Sequence, residues 1–140
     1  MQIKIKKLNP DAKLPTYALP GDVGMDLFSL EELIINPGEH IFVMHGFALE
    51  FPTGHAAIVM DKSSISKAGL KTMGGVFDAG FRGEYNTHLV NLSDTSYTIE
   101  KGSKVSQLVI LPVAIAELEE VEELSESERG EGRFGSTGKF

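Results

Sequence analysis

No cysteine occurs in this chain, which excludes a disulfide framework, a thiolate zinc site and a cysteine nucleophile and suits a reducing cytoplasm. Long hydrophobic runs are missing as well. No segment approaches the length of a membrane span, and Met1-Gln2-Ile3-Lys4-Ile5-Lys6-Lys7 lacks the apolar stretch of a signal peptide. The expectation is a soluble cytoplasmic protein, or one inside the host cell if the source is viral, with no membrane partner. Positive charge is also scarce, with a formal net charge of −7 and only three arginines. A long nucleic acid needs a basic face, so a polymer partner is not expected. A small phosphorylated ligand remains allowed where positive charge is local and a divalent metal neutralises the rest.

What is present fits one domain. The 140 residues, 41% of them hydrophobic, can bury about two-thirds of the unfolded surface. Short apolar or alternating segments are punctuated by Gly and Pro: Ile3 with Ile5, Leu33 to Ile35, Ile41 to Phe51, His55 to Met60, Glu84 to Leu92, Tyr97 to Ile99 and Val105 to Val113. No 3.6-residue apolar period is sustained, and a helical turn is expected only around Ser63 to Ala68. An all-β sandwich, jelly roll or barrel follows. Residues 117–128 carry seven glutamates and read as a solvated linker between a body, 1–116, and a terminal segment, 129–140. Extended, the linker reaches roughly 40 Å, enough to place that segment on a neighbouring subunit.

The terminal segment, Arg129-Gly130-Glu131-Gly132-Arg133-Phe134-Gly135-Ser136-Thr137-Gly138-Lys139-Phe140, holds two of the three arginines. Its glycines free the backbone to turn N–H groups toward a ligand, and Arg129, Ser136 and Thr137 supply donors for phosphate oxygens. It reads as a polyphosphate clamp around Phe134. A Walker A loop is rejected because Arg133 stands five residues before Gly138, and Phe140 follows Lys139. The competing reading is a disordered Gly/Ser tail.

In the body, Asp78 lies in the glycine-bounded turn Gly74-Gly75-Val76-Phe77-Asp78-Ala79-Gly80-Phe81-Arg82-Gly83. There a carboxylate either activates water as a general base or bonds its own turn. Asp26, flanked by apolar residues, reads as a metal ligand or a satisfied turn acid. Lys62-Ser63-Ser64 reads as a phosphate-binding step or a helix N-cap. The four histidines, His40, His45, His55 and His88, show no metal-ligand spacing and read as surface or satisfied strand residues.

Taken in order, five segments resemble the five motifs of the trimeric dUTPases and cover nearly the whole chain. They are Gly24-Met25-Asp26-Leu27 with Ser29; Lys62-Ser63-Ser64-Ile65-Ser66; Gly75 to Glu84; Gly102-Ser103-Lys104-Val105-Ser106-Gln107; and the terminal clamp. The resemblance implies a distorted jelly-roll (β-clip) subunit with a swapped C-terminal arm, a homotrimer with shared active sites, and Mg²⁺-assisted hydrolysis of dUTP to dUMP and pyrophosphate. That reaction keeps uracil out of DNA and supplies dUMP for dTMP synthesis. Under it, Asp78 is the base that activates water for attack on the α-phosphorus, and Asp26 holds the metal through bound water. The backbone of Gly75, Val76, Phe77 and Asp78 reads uracil, and Phe81 packs under the deoxyribose. Lys62, Ser63, Ser64 and Gln107 lie on the phosphate side. Phe134 stacks on uracil, while Arg129, Gly135, Ser136 and Thr137 cover the outer phosphates.

Three positions depart from the family pattern. Lys62 stands where arginine is common, which turns a bidentate fork into a point charge. Phe81 replaces a more frequent tyrosine, and Arg133 a usual glycine. The rival readings are a dCTP deaminase-like nucleotide enzyme, disfavoured because His88 stands where that family's catalytic glutamate is expected, and a non-catalytic all-β protein that senses the nucleotide.

Overall fold

The computed structural model describes residues 1–138, which form eleven β-strands and one short helix. In chain order these are β1 (Lys4–Lys7), β2 (Met25–Phe28), β3 (Leu33–Ile35), β4 (His40–Met44), β5 (Phe47–Glu50), β6 (His55–Asp61), α1 (Ser63–Lys67), β7 (Leu70–Thr72), β8 (Val76–Asp78), β9 (Asn86–Asn91), β10 (Tyr97–Ile99) and β11 (Lys104–Pro112). The all-β expectation holds. The strands pair antiparallel into a four-stranded sheet, β2-β11-β6-β8, a three-stranded sheet, β4-β9-β7, and the pairs β1-β5 and β10-β3.

Two apolar clusters hold these layers together. Leu27, Phe47, Leu49, Val59, Tyr85 and Leu108 form one, and Ile35, Val43, Ile65, Leu70, Leu89 and Val105 the other. α1 is short because only Ile65 is buried. The stretch expected as one strand from Ile41 to Phe51 is two strands, β4 and β5. Gly46 breaks it at φ +73°, where an added Cβ would meet Ala12 and Leu30 at 2.9 Å. Between these strands the buried His45 receives a hydrogen bond on Nε2 from Thr87 (2.7 Å), with Nδ1 2.8 Å from the Phe28 carbonyl. Thr87 lies in turn 2.6 Å from Ser106.

β11 is the longest strand and positions much of the site. Lys104 pairs with Phe28 and the next pairing is Ser106 with Leu27, so Val105 is an extra residue in a β-bulge. Directly opposed residues share a face. Gln107 opposes Asp26, and the bulge therefore puts Lys104 and Gln107, three positions apart, on the same face as Asp26. The same face of β6 carries Ala56, Ile58 and Met60, and Asp78 opposes Ala56.

Candidate active site

Asp78 ends β8 at the tip of a braced hairpin. Gly74 and Gly75 enter it at φ +69° and +106°. The Gly75 carbonyl accepts a 2.7 Å bond from the Val59 N–H, and a Cβ at Gly75 would come within 2.8 Å of the Val59 oxygen. Only glycine fits that approach. Past the tip, the Phe81 N–H bonds the Asp78 carbonyl at 3.0 Å, and Arg82 donates to the carbonyls of Ala79 (2.7 Å) and Phe81 (3.0 Å). Gly83 is constrained by the Phe81 ring, which a Cβ there would meet at 2.5 Å.

An aromatic stack anchors the hairpin. Phe77 stacks on Tyr85 with centroids 4.2 Å apart, Tyr85 stacks on Phe47 at 5.3 Å, and Phe81 tilts against Phe77 at 5.5 Å. Tyr85 is fully buried while Phe81 keeps 37% of its surface exposed, leaving its ring available to a ligand. Val76 and the Asp78 carboxylate face solvent.

A second group of residues gathers around Asp26. It lies on β2 rather than in a turn, and its side chain is buried. Burial alone would raise its pKa, but Lys104 and Lys62 overcome that and hold the carboxyl below the ordinary value. Lys62 Nζ is 2.7 Å from Oδ1 and Lys104 Nζ 2.6 Å from Oδ2. The Lys104 contact is a close ion pair but not a well-directed hydrogen bond, and among the described residues Oδ2 has no directed donor. Gln107 donates to the Asp61 carbonyl at 2.8 Å, and a Cβ at Gly24 would meet Gln107 Oε1 at 2.0 Å and displace that side chain. Ala18, Asp22, Val23, Gly24, Asp26, Lys62 and Gln107 line a cavity of about 240 Å³. Lys62 is the N-cap residue of α1 but makes no side-chain cap, and Ser63 and Ser64 are exposed on its first turn. The hydroxyls of Ser63 and Ser64 do not cap this helix. The expectation left Lys104 among the motif residues without a role; its position against Asp26 depends on the bulge, which spacing alone does not reveal.

The terminal segment folds into tight turns. The Gly130 N–H bonds Ser127, that of Gly132 bonds Arg129, and that of Gly138 bonds Gly135. Arg129, Ser136 and Thr137, with Glu128, line a cavity of about 390 Å³. Phe134 is 96% exposed at φ +48°, next to Gly135, with the Arg133 guanidinium 5.5 Å from its ring centroid. Lys139 and Phe140, assigned to the clamp, lie outside the described residues.

The structure thus brings the expected residues together in three groups, not one. Asp78 and Asp26 lie on the same face of one sheet, separated by three strand steps and a four-residue offset along β6. At about 4.8 Å per step and about 3.3 Å per residue they are roughly 20 Å apart.

An all-β chain with a displayed carboxylate hairpin, a lysine-flanked acid and a glycine-rich tail carrying Arg129, Ser136 and Thr137 matches one family of nucleotide-handling proteins. The dUTPase family model matches residues 10–138. The chain is 46% identical over 140 residues to the deoxyuridine 5'-triphosphate nucleotidohydrolase of Clostridium tetani, covering 98% of this chain and 97% of that protein. It is 42% identical to that of Clostridioides difficile, covering 97% of each. Its fold matches a dUTPase of Staphylococcus bacteriophage 80alpha solved with dUpNHpp, at a TM-score of 0.92 and 31% identity over 98% of both chains. A phage phi11 dUTPase described with a structural Mg(II) ion shares the fold at a TM-score of 0.84 and 24% identity. The chain belongs to the dUTPase family.

Proposed function

We propose that this protein hydrolyses dUTP to dUMP and pyrophosphate at sites shared between three copies of the chain. Family membership makes it a hydrolase of nucleotide metabolism, a dUTP diphosphatase. The observation that carries the shared site is the separation of roughly 20 Å between Asp78 and Asp26, too far for one dUTP to touch both within one chain. A neighbour's hairpin set against the Asp26 end of this sheet completes the site. Beyond β11, Ile115 and Leu118 are 82% and 92% exposed on a segment without strand pairing. We read the 117–128 linker as the stem of a swapped C-terminal arm. It carries the clamp, 129–140, from a jelly-roll body, 1–116, to another subunit.

In this reading Asp78 orients a water and accepts one proton as the oxygen attacks the α-phosphorus. The bond to the bridging oxygen breaks and pyrophosphate leaves. The hairpin backbone from Gly75 to Asp78 pairs with the uracil edge, and the Phe81 ring supports the deoxyribose. Lys62, Ser63, Ser64 and Gln107 hold phosphate oxygens, and Phe134, Arg129, Gly135, Ser136 and Thr137 close over the nucleotide.

The residues fit a magnesium ion that arrives with the substrate. Among the described residues no three carboxylates or histidines gather into a cage. Asp26 offers a buried carboxylate whose Oδ2 is met, among the described residues, only by the undirected Lys104 ammonium at 2.6 Å, and that oxygen would accept from a metal-bound water as Lys104 turns toward the phosphates. When bound, the ion would neutralise phosphate charge. We place the activity in the cytoplasm, or inside the host cell for a viral source, with no membrane or nucleic-acid polymer as partner. The test is release of dUMP and pyrophosphate from dUTP against dCTP, dTTP and UTP, with light scattering for the trimer. Equal rates on all four nucleotides, or a fully active monomer, would overturn it.

A further inference from the structure

Strand pairing creates a histidine pair that sequence spacing hides. Phe42 opposes His88 and His40 opposes Val90 across β4 and β9, so His40 and His88 are diagonal neighbours on the outer face of the β4-β9-β7 sheet. His40 Nδ1 lies 2.9 Å from His88 Nε2. Phe42 stacks on the His88 ring at 4.1 Å and 18°, which limits its rotation, and is itself 58% exposed. Met44, Asn86, Val90 and Lys71 complete this face, and Lys71 is ion-paired with Asp61.

We propose that His40 and His88 form a bidentate site for a divalent transition metal of the Cu²⁺ or Ni²⁺ class, bound through His40 Nδ1 and His88 Nε2 with water in the remaining positions. Two nitrogens at about 2.0–2.1 Å from a tetragonal ion, in adjacent positions, are roughly 2.9 Å apart. The free pair already has that separation, and because hydrogen-bonded rings aim along the N···N line, the exposed His40 ring turns to bring both lone pairs onto one ion while the stacked His88 ring stays in place. Without metal, one ring must present N–H to the other's lone pair. Metal entry needs both lone pairs, so the donor ring moves its proton through water to its outward nitrogen, and no net proton is lost from two neutral imidazoles. Two strands fix the ligands in advance, so the second nitrogen binds at high effective concentration. A chain of net charge −7 favours a cation, and imidazole selects transition metals over Mg²⁺. The site lies on a different sheet from Asp26 and does not depend on the proposed hydrolysis.

The experiment titrates the metal-free full-length protein with NiCl₂ and with CuCl₂ by calorimetry in a non-coordinating buffer. One ion per chain is expected, with affinity at least about tenfold lower in both His40→Gln and His88→Gln and unchanged in His55→Gln. Cu²⁺ electron paramagnetic resonance should show two nitrogen ligands that fall to one in either variant. Turnover of dUTP with Mg²⁺ should not change. Wild-type isotherms from both His40→Gln and His88→Gln, or no binding to wild type at one equivalent, would overturn the site.

Discussion

Lys104 Nζ stands 2.6 Å from Asp26 Oδ2 because a single extra residue, Val105, turns β11 by one face. Asp26 is thereby held between two ammonium groups, and Lys62 need not carry its charge alone. Lys104→Met should let burial raise the Asp26 pKa, an effect visible by carboxyl carbon NMR. Lys104 is partly exposed, so the stability loss at pH 7 should be modest, about 1 kcal/mol in urea unfolding. An unshifted Asp26 titration would show that Lys62 alone sets the charge state.

The hairpin displays Asp78 to solvent, and among the described residues its carboxylate forms no ion pair. Asp78→Asn keeps the shape and removes the base. Turnover of dUTP should fall by at least about 10²-fold with an unchanged melting temperature. Near-normal turnover would move the base elsewhere.

Much of this architecture is legible from the sequence, because Gly and Pro turns bracket short apolar strands and α1 lies where the helical turn was expected. Asp26 resisted a single reading. β2 is four residues long with Asp26 and Leu27 both buried, so it shows no alternation and its acid resembles one in a turn. The bulge at Val105 and the His40–His88 contact, between residues 48 apart, depend on strand register. Register is written in pairings between distant segments, not in spacing along one of them.

Tyr85 is fully buried and among the described residues its hydroxyl has no hydrogen-bond partner, while burial pushes its pKa up to about 12. Tyr85→Phe keeps the stack with Phe77 and Phe47 and removes an unsatisfied oxygen. It should stabilise the protein by about 1 kcal/mol in thermal or urea unfolding. A loss of similar size would indicate that a buried water completes the hydroxyl.

His45 sets a pH limit on stability. Burial lowers its pKa from 6.5 to about 4, partly opposed by the bond to the Phe28 carbonyl. The folded state therefore keeps it neutral where the unfolded chain binds a proton. Its contribution is complete above pH 6.5 and is lost as pH falls through about 4, a change of about 3 kcal/mol. Urea unfolding across that window should show the slope, reduced in His45→Gln. A flat wild-type profile would mean that His45 titrates alike in both states.

The separation between the Asp78 hairpin and the Asp26 group makes the shared site testable by mixing two defective proteins. Asp78→Asn chains retain their terminal segments, and chains truncated before Arg129 retain the base. Each alone should be nearly inactive. After subunit exchange at equal concentrations, roughly one site in four combines an intact Asp78 with an intact clamp from different chains. Activity should then recover to about a quarter of wild type, with heterotrimers confirmed by native mass spectrometry. If the heterotrimers form and activity stays at the level of the unmixed proteins, base and clamp belong to one chain, and the arm must fold back onto its own subunit.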